Sequence, residues 1–411
     1  MDMHMKTKHI IILCDGMSDN KIKELHYKTP LQVAHKPNMD YLAKNGEVGR
    51  AKTVPDTLPA GSDVANLSVI GFDPKKFYTG RSPLEAVSMG IELKPEDMSF
   101  RANLVTLSDD ADFQNKTMLD YSSDEITTRE SSILIEFLKD KLENEFTKLY
   151  SGISYRHCMV FKNGNTKNKY ILTPPHDISG KKIGTYLPKG EKSDVITDIM
   201  KRSYTLLEDH EVNIRRREHG QNPASSLWIW GEGTRPALPL YSDEYGVNGA
   251  VITAVDLIKG IAKCTGLDVI EVEGATGNIN TNFYGKAKAA VNALKNEYDF
   301  VFLHIEAPDE CGHRGEIDNK VKSIEMIDEK VVGYILNELD NENIHLRVLL
   351  MPDHPTPLDT RTHSKESVPY ILYDNKNKII GIDGYNEDTA DSTKLHEGNG
   401  YRLAAKLLEK A

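Results

Sequence analysis

The stretch FVFLHIEAPDECGH, residues 300–313, opens as a run of apolar residues suited to a buried strand and closes on Glu306, Asp309, Glu310, Cys311 and His313. Comparable β-branched runs recur at HIIILCD (9–15), GAVITAVDL (249–257), LDVIEV (267–272), HLRVLLMPD (345–353) and VPYILYD (368–374). Amphipathic helical patterns such as NFYGKAKAAVNALKN (282–296) and DNKVKSIEMIDEKVVGYILNEL (318–339) lie between several of them. Strands alternating with helices predict an α/β domain whose mostly parallel sheet is covered by helices on both faces.

From about Ser99 to about Tyr245 the pattern breaks into shorter, more polar segments, with turn clusters at KNGNTKNK (162–169) and QNPASS (221–226). This predicts a second, smaller domain spanning 99–245, inserted into a discontinuous first domain of 1–98 and 246–411. Polar joints are expected at 94–99 and 241–249. A chain of 411 residues is long enough for both domains to bury a core.

The balance of 51 basic against 62 acidic residues, a net charge of −11, argues against nucleic-acid binding through a broad basic face. An anionic ligand must then be held by local charges or metal ions. Cys14, Cys158, Cys264 and Cys311 are scattered without a CxxC pair, which suggests neither a disulfide framework nor a thiolate zinc site and points to the cytosol. The apolar run before Asp15 is too short for a signal-peptide core, and no segment approaches a membrane span.

In open parallel sheets ligands gather beyond the carboxyl ends of the strands, and here these ends carry related chemistry. ILCDG delivers Asp15, LHIEAPDECGH delivers Asp309 and His313, and VLLMPDHPTP delivers Asp353 and His354, with His363 following in TRTHS. Taken singly, an acid after a strand is a turn residue or helix cap, and Asp309 with His313 is a pair of helical neighbours. Three such endings on one sheet point instead to a divalent-metal site of carboxylate and imidazole. His304, inside the apolar run, reads as a core histidine and Cys311 as a buried bystander.

TLPAGSDVANLSVIG (57–71) leads through Pro and Gly to Ser62 and then a helical pattern. Ser62 reads equally as an N-cap or as a hydroxyl placed where free helix N–H groups would receive a phosphate. A serine needs a base or metal to act as a nucleophile, and a neighbouring metal site would meet that need.

CDGMSD, LPAGSDVANLSVIGFDP, YTGRSPLEA, EAPDECGH and PDHPTP together resemble the cofactor-independent phosphoglycerate mutases of the archaeal type, in the alkaline phosphatase superfamily. The resemblance runs essentially end to end and is weaker in the insertion. It implies an alkaline-phosphatase-like sheet with an inserted α+β domain, and interconversion of 3-phosphoglycerate and 2-phosphoglycerate in glycolysis and gluconeogenesis through a phosphoserine. It implies two divalent ions, manganese first with magnesium, zinc or cobalt as the other candidates, and no 2,3-bisphosphoglycerate. Asp309, His313 and His363 match one metal site; Asp15, Ser62, Asp353 and His354 match the other, with Ser62 as phosphoryl acceptor. Lys286 matches a lysine near the transferring phosphate. Arg156, His157 and Arg235 fall where groups for the glycerate carboxylate are expected, and Arg81 is a lesser candidate. Three alternatives remain: a homoserine kinase-like phosphotransferase of threonine synthesis, a plain phosphomonoesterase, which the large insertion disfavours, and a non-catalytic metal-binding relative of the fold.

Overall fold

The computed structural model describes residues 7–164, 170–190 and 192–409, so positions 165–169 of the first turn cluster lie outside the described residues. The strands in chain order are β1 (Lys8–Cys14), β2 (Glu47–Ala51), β3 (Met98–Leu107), β4 (Met118–Asp120), β5 (Thr147–Tyr150), β6 (Arg156–Phe161) and β7 (Ser226–Gly233). There follow β8 (Gly249–Ile252), β9 (Asp268–Val269), β10 (Phe300–Ile305), β11 (Leu346–Met351), β12 (Val368–Asp374) and β13 (His396–Glu397).

The chain divides into two compact units, Met1–Tyr78 with Ala237–Ala411, and Thr79–Pro236. The joints expected at 94–99 and 241–249 each fall inside a unit, and packing explains why. Ala86 of the helix Ser82–Ser88 joins Cys158 and Val160 of β6 in one apolar cluster, so that helix belongs to the inserted unit. Tyr241 of the helix Tyr241–Tyr245 stacks on Phe300 at 4.8 Å between ring centres, which ties it to the first unit.

In the first unit an eight-stranded sheet runs in the order β13-β2-β12-β11-β1-β10-β8-β9. β12 is antiparallel to both of its neighbours, and every other pairing is parallel. β1 lies at the centre, with Ile12 paired to Leu303 on one side and to Leu350 on the other. Alternate residues of the central strands share a face: Ile10, Ile12, Val301, Leu303, Val348 and Leu350 meet Ala287, Ala290, Val291 and Leu294 of the helix Phe283–Asn296. Asn282 caps that helix by accepting the Gly285 N–H at 2.8 Å, satisfying a donor the first turn leaves free.

β8 and β9 are shorter than the apolar runs at 249–257 and 267–272. Thr253 Oγ1 accepts the Val255 N–H at 3.0 Å, which turns the chain toward the helix Asp256–Thr265. β2, EVGRA, carries no apolar run that would announce it. The helical pattern at 318–339 forms two α-helices, Ile317–Ile327 and Tyr334–Asn341, joined by a π-turn at Asp328–Gly333.

The inserted unit is less fragmented than its polar sequence suggests. A five-stranded antiparallel sheet is centred on the 10-residue strand β3, flanked by β6 and β4 on one side and β7 on the other. Helices Thr128–Leu142 and Ser193–Leu207 bury Leu134, Ile135, Leu138, Ile196, Ile199 and Met200 with Phe100 and Leu104 of β3, a 3.6-residue stripe set against a two-residue one. Among the described residues no helix is long and apolar enough to cross a membrane.

Candidate active site

The parallel register of β11, β1 and β10 sends three chain segments past the same edge of the sheet. Asp15 follows β1, and Asp353 and His354 follow β11. After β10 the chain turns directly into the helix Ala307–Arg314, where Asp309 and His313 lie one turn apart. Gly16, at φ +61°, makes the convergence possible: a Cβ there would stand 2.6 Å from both Asp309 Oδ1 and Thr356 Oγ1, closer than any side chain allows.

His313 Nε2 lies 2.9 Å from His363 Nε2 and 3.3 Å from Asp309 Oδ2, while His363 Nε2 lies 3.4 Å from Asp309 Oδ1. His354 Nε2 lies 3.3 Å from Asp353 Oδ2 and 3.7 Å from Asp15 Oδ1. Two triads, Asp309–His354–His363 and Asp15–Asp353–His354, each bring their ligand atoms within 4.8 Å of one another. His354 therefore stands between two candidate metal-binding groups.

Burial, with repulsion from Asp353, Asp309 and Glu306, pushes the Asp15 carboxyl well above its usual range. Burial opposes ionisation of Asp309 as well, but hydrogen bonds from His313 and His363 hold it well below the usual carboxylate range. The Asp309 hydrogen bond in turn raises His313 to about 9, against the cost of burial. Burial lowers His354. Asp15 Oδ1 is buried without a hydrogen-bond partner among the described residues. An orphaned carboxylate oxygen among crowded acids and imidazoles fits divalent cations, which would offset the repulsion and take the free oxygen as ligand.

Ser62 is the first residue of the helix Ser62–Ile70, and Gly61 is its N-cap. The hydroxyl is therefore not used as a cap and meets His354 Nε2 at 3.1 Å. Lys286 is fully buried, donates from Nζ to the His304 carbonyl at 3.1 Å, and is lowered to about 8 by burial despite Glu306 nearby.

Several contributors carry no clear signal in the linear sequence. Asn66, one helical turn beyond Ser62, donates from Nδ2 to the Ser62 carbonyl and to Asp353 Oδ2, both at 2.9 Å; its place four residues after the serine is the one available hint. Thr356 donates to Asp309 Oδ1 at 2.5 Å. His304 is buried as expected, yet it is not a plain core residue: its Nε2 lies 2.8 Å from Asp15 Oδ2.

The inserted unit holds a cluster of opposite character. Ser99, Arg101 and Asn103 alternate with Phe100, Ala102 and Leu104 along β3, so one face of the sheet is apolar and the other polar. On the polar face Arg101 pairs in register with Trp230 and lies over its ring at 4.3 Å, and Asn103 pairs with Arg156. Arg81 and Arg101 both bind Glu85, at 2.8 and 2.9 Å. Burial works against the Glu85 charge, but Arg101 and Arg81, with Arg156, hold the carboxyl below its ordinary value. Arg235 is exposed, with Nη1 at 3.5 Å from the Leu93 carbonyl. His157 is buried, accepts the Gly152 N–H on Nδ1 at 3.0 Å, and is pushed by burial to about 3; its visible contact supports the loop before β6.

Residues 43–213 match the family model described as 2,3-bisphosphoglycerate-independent phosphoglycerate mutase. The enzyme of that name from Methanosarcina barkeri is 46% identical over 94% of this chain and 96% of its own length. The chain belongs to the family of 2,3-bisphosphoglycerate-independent phosphoglycerate mutases. That family consists of isomerases, intramolecular phosphotransferases by reaction type. The solved structure of a Pyrococcus horikoshii protein superposes with a TM-score of 0.82 at 31% identity, covering 99% of this chain and 98% of the other. A cofactor-independent phosphoglycerate mutase from Thermoplasma acidophilum shares the fold, with a TM-score of 0.67 at 24% identity over 98% of this chain and 99% of that one.

Proposed function

We propose that the chain interconverts 3-phosphoglycerate and 2-phosphoglycerate without 2,3-bisphosphoglycerate, passing the phosphoryl group through Ser62. The observation that carries this reading is the Ser62 hydroxyl, free of capping duty and 3.1 Å from His354 Nε2, beside two groups of metal-ligating side chains. The name borne by the Methanosarcina barkeri relative supports the choice of substrate. Asp309, His313 and His363 would hold one divalent ion and Asp15, Ser62, Asp353 and His354 another; the donor set suits manganese, zinc or a similar ion, and the family resemblance puts manganese first. Bound there, such ions lower the pKa of the serine hydroxyl and offset the charge of the phosphoryl group.

Ser62 Oγ attacks the phosphorus of 3-phosphoglycerate. The bond from phosphorus to the C3 oxygen breaks as the bond to Ser62 forms, and the proton leaving Ser62 is balanced by one gained at the C3 oxygen. The C2 hydroxyl of the retained glycerate then attacks phosphoserine, loses its proton, and returns Ser62 to its hydroxyl form. Lys286, buried and poised near pH 8, supplies positive charge to the phosphoryl group.

Glycerate must stay bound between the two transfers. A guanidinium fork binds a carboxylate in a fixed orientation, and Arg81, Arg101 and Arg156 outnumber the carboxylate of Glu85 among them. These arginines are the proposed carboxylate holders, with Arg235 and His157 as further candidates.

Phosphorus NMR of the manganese-loaded protein with 3-phosphoglycerate tests the reading. It should yield 2-phosphoglycerate without added 2,3-bisphosphoglycerate and with little free phosphate. Dominant phosphate release would make the chain a phosphatase. In a parallel assay, ATP-dependent phosphorylation of homoserine with no isomerisation would make it a kinase.

A further inference from the structure

Each carboxylate of the cluster is steadied by protein donors, but not equally. Asp353 Oδ1 accepts from the backbone N–H groups of Gly16 and His354 at 3.2 and 2.9 Å, and its Oδ2 accepts from Asn66. Asp309 Oδ1 accepts the Thr356 hydroxyl. On the Asp15 side chain, Oδ2 meets His304 Nε2 at 2.8 Å while Oδ1 has no hydrogen-bond partner among the described residues.

His304 is itself held. Its Nδ1 lies 3.0 Å from Thr253 Oγ1, and that oxygen accepts the Val255 N–H at 3.0 Å. With a cation bound, Asp15 is ionised and can only accept, so His304 Nε2 then carries the proton and Nδ1 of the neutral ring is an acceptor. The Thr253 hydroxyl must then donate to Nδ1, and the Val255 N–H occupies one of its lone pairs. The relay fixes both the tautomer and the tilt of the ring. His304 and Thr253 are 0% and 2% exposed, so water does not supply these bonds. His304 also interrupts the otherwise apolar strand FVFLHI, where an aliphatic residue would fill the core without needing two polar partners.

We propose that His304 and Thr253 are positioning residues for the Asp15 metal site, a relay that occupies Oδ2 and leaves Oδ1 directed at the ion. The inference rests on the metal reading of the cluster. It assigns the polar residue of β10 and the threonine at the end of β8 to one task, preparing an acid carried by the neighbouring strand β1.

The test is calorimetric titration of metal-stripped full-length protein with manganese, for the wild type and for Thr253→Val, Thr253→Ser, His304→Leu and His304→Gln, with thermal melts of the stripped proteins alongside. Loss of an outer hydrogen-bond partner typically weakens metal affinity about 10–100-fold. Thr253→Val and His304→Leu should weaken one of two ions by that much and leave the other within about twofold of wild type. Thr253→Ser restores the hydroxyl and His304→Gln restores an N–H of similar reach, so both should recover most of the affinity. Wild-type affinity in Thr253→Val with an unchanged melt overturns the positioning role alone. Equal weakening of both ions, or failure of Thr253→Ser to rescue, also overturns it. Absence of manganese uptake by the wild type overturns the metal reading together with the relay.

Discussion

The two units concentrate opposite charge by opposite means. In the first, Asp15, Asp309 and Asp353 crowd against His313, His354 and His363, and the acids share too few cationic partners. In the second, Arg81, Arg101 and Arg156 surround Glu85 on the polar face of a sheet whose other face is core. The first arrangement calls for cations and the second for an anion. Under the proposed function the first would serve the phosphoryl group that moves and the second the carboxylate that stays.

The largest effect should come from Ser62, the proposed nucleophile. Ser62→Ala should lower mutase turnover by at least about 10⁴-fold, as loss of a nucleophile commonly does. Its thermal stability should change by less than about 0.5 kcal/mol, because Gly61 and not Ser62 caps the helix. Appreciable turnover in the variant, read by phosphorus NMR, would remove the serine from the account.

Metal removal comes next. Exhaustive chelation should abolish turnover and manganese should restore it, with far-UV circular dichroism largely unchanged, because the sheet core is apolar and independent of the cluster. Asp309→Asn should retain one fewer ion by elemental analysis. Full activity in metal-free protein would break the comparison on its acidic side.

Arg101→Ala probes the basic side. Removing one guanidinium from a carboxylate should cost about 1.5–3 kcal/mol of binding, a rise in KM on the order of 10–100-fold with a smaller change in kcat. The fraction of phosphate lost to water should also rise. Unaltered KM in Arg101→Ala, with the same result for Arg81→Ala and Arg156→Ala, would detach the arginine cluster from the substrate.

The smallest effect concerns pH. In the ion-free protein His313 is raised from 6.5 to about 9 by its Asp309 bond. That pair therefore stabilises the ion-free fold fully below the unfolded pKa and is lost as pH rises through about 9. A metal takes the neutral imidazole, so ion uptake should strengthen as pH rises toward 9 and should release a proton below it. Calorimetry in buffers of different ionisation enthalpy counts that proton; uptake independent of pH between 6 and 9 would contradict the pairing of His313 with Asp309.

The same contrast explains what the sequence disclosed. The acids and imidazoles sit a few residues beyond strands that announce themselves as apolar runs, so the linear sequence alone places Asp15, Asp309, Asp353 and His354 at one edge of the sheet. The arginine cluster draws Arg101 and Arg156 from neighbouring strands and Trp230 from a third, joined by antiparallel register, while Arg81 reaches the shared Glu85 four residues along the chain. No linear spacing records that register, so nothing in the sequence singles out Arg101. His304 misleads for another reason. Its apolar neighbours in the strand correctly signal burial, but burial does not reveal which polar group waits on the next strand, and here Leu13 pairs with His304 two residues before Asp15. The domain joints are displaced from the polar segments because polarity marks turns, while membership of a unit is decided by packing, as Tyr241 on Phe300 illustrates.

The central claim is that the phosphoryl group resides on Ser62 between its two positions on glycerate. Acid quenching of manganese-loaded protein during turnover of 3-phosphoglycerate, followed by peptide mass spectrometry, tests it most directly. The account predicts a phosphoserine at Ser62 that appears with substrate, decays as substrate is withdrawn, and is absent in Ser62→Ala. Rapid isomerisation with no phosphate on Ser62, or with phosphate on another residue, would contradict it.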